Sequence, residues 1–188
     1  MTAPAGVHAT LDTGLYQAPR TSHAVPSEGD RMWTIRPVQH ADVAALKVLF
    51  RKLHAFNATL DPRFALSERW ETYFDATIAE ALRGEALCLI ACRPGTDQPY
   101  GFVVATVHHD SDMWRYHEWV EVEALYVDDA WRGCGLAEVL LTRACDWAES
   151  IGQSAVQLYV TASNEHAIRF YQHEGFGETQ AVMRKVLA

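Results

Sequence analysis

At 188 residues, 49% of them apolar, the chain is long enough for one domain whose core needs no metal or disulfide staple. Its formal net charge of -8 argues against nucleic acid as the main partner and is mildly compatible with a cationic amine. There is no apolar run of about eighteen residues and no basic-then-apolar N-terminus, so neither a membrane span nor a secretory leader is expected.

Cys88, Cys92, Cys134 and Cys145 form no CxxC pair, which reads as reduced thiols in a cytoplasmic protein. Residues 1–30, rich in Ala, Thr, Ser, Pro and Gly without a sustained period, read as a flexible tail ahead of one domain over 31–188. Trp33, Thr34 and Ile35 predict a short strand, limited by Pro37. Val43, Leu46, Leu49, Phe50, Leu53 and Phe56 recur at three- and four-residue steps and predict an amphipathic helix. Asp42 suits its positive end, and Asp61-Pro62 breaks it. A second helix is expected over Ser67–Arg83, stopped by Gly84.

Three strand signals follow: 86–92, 101–107 and 119–127. A Pro94–Asp97 turn separates the first two, and a polar loop over 108–116 precedes the third. Together they predict an antiparallel meander. Leu136, Val139, Leu140, Ala144 and Trp147 then mark one face of a helix ending near Ile151. A strand over 155–161, a short helix over 164–172 closed by Gly175, and a last strand over 181–187 complete the pattern. An antiparallel start followed by strand–helix alternation defines a mixed α/β sheet.

The segment Val127–Ala137, VDDAWRGCGLA, leads from a strand through a glycine-rich turn into a helix. Helix-start amides lack internal partners and carry the positive end of the dipole, and glycines permit close backbone approach, so such a turn can cradle phosphate. The third glycine of a dinucleotide fingerprint is missing, and so is the Gly-Lys-Ser/Thr of a Walker loop. Alone, the pattern also fits a helix start that merely carries two glycines.

Arg132-x-x-Gly135-x-Ala137 resembles the Arg/Gln-x-x-Gly-x-Gly/Ala signature of the GNAT acetyltransferase superfamily. Asn164-x-x-Ala167-x-x-Phe170-Tyr171-x-x-x-Gly175-Phe176 is similar to that family's second motif, with the strand at 157–160 between the two. The Ile35-Arg36-Pro37 opening followed by Asp42 also looks like the family's start, so the resemblance covers the chain from about Met32 onward. It implies a GNAT fold: a twisted mixed sheet of about six to seven strands, about four helices, and a splayed parallel pair at the cofactor site.

The resemblance further implies acetyl transfer from acetyl-CoA to an amine by direct attack in a ternary complex, without a metal. The acceptor is expected to be a small-molecule amine, with a protein N-terminus or lysine as the alternative. A non-catalytic acyl-CoA-binding module is the competing class, and a homodimer is compatible with the family's habits. In residue terms, the amides of Arg132, Gly133, Cys134, Gly135, Leu136 and Ala137 would hold the pyrophosphate, with Cys134 a passive thiol. Leu125, Tyr126 and Val127 would pair with the pantetheine arm, with the Val127 N–H also serving the oxyanion. Asn164 and Ala167 would contact the cofactor from the second motif.

An alkylammonium must lose a proton before it attacks, so a base is needed. Glu123, four residues before Val127, is the implied base. Glu121 competes, because side chains alternate along a strand and the two would share a face. Tyr171 is implied as the acid, or a sulfur contact, at the departing thiolate. His108, His109 and His117 lack ligand-like spacing for a metal. Trp114, Tyr116 and Trp119 could line an amine pocket by cation–π contact or pack as core or interface. The resemblance places the family's variable substrate-binding region at Leu53-His54 to Phe64, where Asp61 and Arg63 could read the substrate or lie in a solvated loop.

Overall fold

The structure, a computed structural model, describes residues 33–187; the tail expected over 1–30 lies outside the described residues. Five strands and four α-helices follow in chain order: β1 (Thr34–Pro37), α1 (Val43–Leu60), α2 (Trp70–Arg83), β2 (Leu87–Cys92), β3 (Pro99–His109), β4 (Glu118–Val127), α3 (Leu136–Ser150), β5 (Val156–Leu158) and α4 (Glu165–His173). The sheet order is β1-β2-β3-β4-β5. The first four strands are antiparallel neighbours, and β5 pairs parallel to β4 after the α3 crossover.

The sheet is covered on both faces, which explains the near-continuous apolar runs in β2 and β3. On one face, Leu46 and Leu49 of α1 and Phe74 and Ile78 of α2 pack on Ile90, Phe102, Val104, Ala124 and Tyr126. On the other, Leu136, Leu140, Leu141 and Ala144 of α3 pack on Val103, Ala105, Val120 and Val122, with Phe170, Tyr171 and Phe176 joining from around α4.

The N-terminal join is pinned by one ion pair. Arg36 clasps Asp42 through two hydrogen bonds of 2.7 and 2.9 Å, and the Gln39 N–H donates to the same carboxylate at 2.8 Å. Asp42 is 4% exposed. The guanidinium beside it, reinforced by the Gln39 amide, holds its carboxyl below the usual range. Asp42→Asn is therefore expected to lower stability by about 3 kcal/mol near neutral pH. A carboxyl with a depressed folded-state pKa stabilises above its unfolded value and loses that contribution as pH falls through the folded one. Urea titrations of wild type and variant should therefore converge in acid.

Two expectations are corrected. The segment over 181–187 forms no strand. Arg184 and Lys185 would fall one on each side of an extended chain and charge both faces, and Met183 is 95% exposed. The sheet accordingly has five strands, with β5 only three residues long. The polar loop begins at Asp110 rather than His108, because His108 and His109 still pair with Trp119 and Glu118.

Candidate active site

Glu123 owes its position to a β-bulge. Val104 pairs with Ala124 and Ala105 with Val122, leaving Glu123 as the extra residue of β4. The bulge shifts the strand's alternation. Val120 and Val122 face α3, whereas Ala124 and Tyr126 face α1 and α2. Glu123 turns to the α1/α2 side with Ala124, and both line a pocket of about 430 Å³ there. Thr106 Oγ1 donates to Glu123 Oε1 at 2.8 Å. The apolar pocket walls strip water from the carboxylate and raise its pKa, against the Thr106 hydrogen bond and with help from the charges of Glu121 and Glu80.

Glu121 is placed differently. One of its oxygens, Oε2, is buried without a hydrogen bond and lies 3.7 Å from His108 Nδ1. Glu121 is not among the residues lining the pocket.

The second site feature is a gap in the sheet. β4 and β5 pair only at Val120–Val156, Glu121–Gln157 and Val122–Leu158, after which β4 continues to Val127 without β5. Backbone direction along that stretch follows from register. The Asp128 N–H donates to the Tyr100 carbonyl at 2.8 Å, and hydrogen-bonded pairs alternate along an antiparallel ladder. The polar backbone groups of Leu125 and Val127 therefore point away from β3, into the gap. Tyr126 stands between them with its backbone turned toward Phe102 of β3. Of the three residues expected to pair with a pantetheine arm, Leu125 and Val127 present their backbone to the gap.

The glycine-rich turn follows directly. A 3-10 turn over Asp129–Trp131, held by Trp131 stacked 4.3 Å from Tyr100, carries the chain to α3. Arg132 is spent on local structure: its Nε donates to the Val127 carbonyl at 3.0 Å, and its Nη2 pairs with Asp129 at 2.7 Å. Gly133 and Gly135 have φ of 74° and 81°, a region that side chains with a Cβ rarely occupy. A Cβ built on either would meet open space. The first backbone bond of α3 runs from the Val139 N–H to the Gly135 carbonyl. The amides of Leu136, Ala137 and Glu138 thus precede any intrahelical bond and lie at the positive end of the dipole. An open, amide-lined turn of this kind fits the pyrophosphate of an acyl-CoA. The Cys134 thiol donates to the Trp131 carbonyl at 2.9 Å, consistent with a structural role.

Across the gap, Asn164 caps α4 by accepting the Ala167 N–H at 3.2 Å, so its side-chain NH2 is what it can offer a ligand. Tyr171 packs between Phe170 and Phe176, at ring distances of 5.1 and 5.9 Å, with the α3-side core. Burial pushes its phenol up to about 12. Glu123 and Tyr171 thus belong to opposite faces of the sheet.

The remaining expectations divide. Trp114 and Tyr116 are exposed, Trp119 stacks on His108 at 4.5 Å, and none of the three lines the pocket. The aromatic wall comes instead from Phe50, Phe64, Trp70, Tyr73 and Phe74 of α1, α2 and the segment between them. Asp61 is occupied with the Arg63 N–H at 2.9 Å and with Arg184 at 3.3 Å, whereas Arg63 does line the pocket. His54, at the start of the segment that the resemblance made the substrate-binding region, also lines the pocket; burial lowers its pKa, and its Nδ1 lies 3.2 Å from the Phe64 carbonyl. Facing a carbonyl, that nitrogen is the donor, and neutral His54 keeps Nε2 as an acceptor.

His108, His109 and His117 point to separate partners: Glu121, Glu118 and the Trp114 carbonyl. Among the described residues, no group of three or more His, Cys, Asp or Glu could hold a metal ion. Cys88 and Cys145 are pushed up by burial, to about 12 and about 11. No helix among the described residues is long and apolar enough to cross a membrane.

A mixed five-stranded sheet whose parallel pair parts beside an amide-lined helix start is a GNAT-type fold. The pattern of the Acetyltransferase (GNAT) family matches residues 53–176, and the chain belongs to that family. It is 27% identical over 154 residues to the uncharacterised N-acetyltransferase MJ1207 of Methanocaldococcus jannaschii, covering 81% of this chain and 64% of that protein. It is 31% identical over 83 residues to the peptidyl-lysine N-acetyltransferase YjaB of Escherichia coli, covering 44% of this chain and 45% of YjaB. The chain thus spans less than two thirds of the length of these curated relatives. Among solved structures, the aminoglycoside N-acetyltransferase AAC(6')-Iy in complex with CoA superposes with a TM-score of 0.61 at 20% identity, covering 82% of this chain and 99% of that one. At that identity the likeness is one of fold.

Proposed function

We propose that this chain is an acetyl-CoA-dependent N-acetyltransferase acting on a primary amine of a small molecule. The observation that carries the reading is Glu123: a bulge turns this carboxylate toward a pocket of about 430 Å³ at the level where β4 parts from β5. Acetyl-CoA, when bound, supplies an activated acetyl thioester. The amides at the start of α3 would hold its pyrophosphate, and the backbone of Leu125 and Val127 would receive the pantetheine arm. The Val127 N–H is the donor for the carbonyl oxygen as charge develops there.

Glu123 takes the proton from the ammonium of the acceptor, directly or through a water. Its raised pKa makes it a better base than an ordinary solvated carboxylate. Glu121, outside the pocket lining and beside His108, has a supporting electrostatic role. Tyr171 holds its proton throughout the working range. Full transfer from a phenol this weak to a thiolate is uphill by roughly three pK units, so its contribution is a hydrogen bond to the departing sulfur. Tyr171→Phe is accordingly expected to lower kcat about tenfold while leaving the acid limb of the pH–rate profile in place. An unchanged kcat would remove Tyr171 from the reaction.

A lysine side chain of a protein is the second reading, favoured by the similarity to YjaB over the stretch that the two share. Mass spectrometry of products from a mixed panel of small amines and lysine peptides decides between the two.

A further inference from the structure

Resting on the transferase reading above, we infer that the acceptor is a monoamine carrying an aromatic or bulky apolar substituent, rather than a polycation or a polypeptide. The pocket that receives Glu123 is the acceptor site in that reading, and its walls define what fits. Phe50, Phe64, Leu66, Trp70, Phe74 and Ile78 supply apolar surface, and about 430 Å³ is the scale of a site for a small ligand. The rings form a connected wall: Phe50 stacks on Trp70 at 5.6 Å and 12°, and Phe74 meets Phe50 at 4.9 Å and Trp70 at 5.8 Å. Such surfaces take an aromatic ring by offset or edge contacts.

Charge narrows the class further. Glu123 is the carboxylate among the lining residues, and Arg63 is a fixed cation in the same lining, 4.7 Å over Phe64. Burial disfavours the charged form of His54, against the hydrogen bond to the Phe64 carbonyl. Glu121 and Glu80 act on Glu123 from outside the lining, so one ammonium can be paired within the pocket, at Glu123. A second or third ammonium would enter apolar surface without a partner or meet Arg63, and an unpaired buried charge is expensive. The overall charge of -8 draws cations toward the molecule, but the pocket admits one.

The test is kcat/KM at saturating acetyl-CoA for 2-phenylethylamine, methylamine, spermidine and a lysine-containing peptide. Acetyl-CoA affinity is measured separately by calorimetry. The expected result is a preference of about a hundredfold or more for 2-phenylethylamine over each of the others. Phe64→Ala is expected to shrink the phenylethylamine-to-methylamine ratio about tenfold, and Leu66→Asp, a change on the loop before α2, to move the balance toward spermidine. Comparable turnover of methylamine and 2-phenylethylamine, or preference for spermidine or the peptide, overturns the substrate class while leaving the transferase reading intact. A folded protein that binds no acetyl-CoA overturns both. If Phe64→Ala does not fold, the wild-type ranking and Leu66→Asp still decide.

Discussion

Glu123→Gln is expected to lower kcat/KM for the acceptor amine by about 10²- to 10⁴-fold, the range for losing a positioned general base. The substitution keeps the side chain's size and its ability to accept from Thr106 Oγ1, so the bulge and pocket should persist. What disappears is the proton acceptor. In the wild type the deprotonated carboxylate is the active form, so activity rises with pH through the Glu123 pKa. Burial by the pocket walls, with Glu121 and Glu80 nearby, sets that limb above the ordinary glutamate value. The Gln variant should lose the limb altogether. Glu121→Gln is the companion measurement: it should shift the limb downward by removing a neighbouring negative charge, yet leave the plateau rate within a fewfold. A plateau that collapses in Glu121→Gln and survives in Glu123→Gln would reverse the assignment.

Gly135→Glu is expected to weaken acetyl-CoA binding by a hundredfold or more. Two effects combine. At φ 81° a residue with a Cβ pays a conformational cost of about 1–2 kcal/mol. A Cβ at this position also points into open space beside the amides of Leu136 and Ala137, where the proposed pyrophosphate would lie. A carboxylate there meets the ligand's own negative charge in the field of the helix start. Gly135→Ala separates the two: where the free turn relaxes to relieve the strain, binding must restore the positive-φ geometry, at a cost of up to about tenfold in affinity. Calorimetric titration of both variants checks the difference. Equal losses would assign the effect to backbone strain and remove the phosphate cradle from the account.

Much of this architecture was legible because it rests on local rules. The three-and-four spacing in α1 and α3 and the glycine stops at Gly84 and Gly175 concern residues close in sequence. So does the strand–turn–helix passage over Val127–Ala137, where Gly133 and Gly135 adopt the positive φ that their identity suggested. The choice between Glu121 and Glu123 was not legible, because alternation places them on one face and only the bulge against Val104 and Ala105 separates their surroundings. That bulge is a property of two strands, not of one. The acceptor pocket was legible only in part: the resemblance pointed to 53–64, which supplies His54, Arg63 and Phe64, but not to the wall from α2. Phe50 is one of the apolar positions of the first helix, Phe74 and Ile78 fall within the second without distinction, and the space between α1, α2 and β4 appears only when all three are packed. The exposed Trp114 and Tyr116 drew attention by composition, yet they lie on the β3–β4 loop and away from the pocket lining. The last strand failed because Arg184 and Lys185 would place a charge on each of its faces.

The most direct test of the central claim is thiol release from acetyl-CoA by the wild-type protein, followed with and without 2-phenylethylamine and matched to acetylated product by mass spectrometry. The account predicts amine-dependent thiol release with one N-acetylated product per thiol. Binding of acetyl-CoA without acceleration of thiol release by any primary amine, small or peptidic, would contradict it and leave an acyl-CoA-binding module.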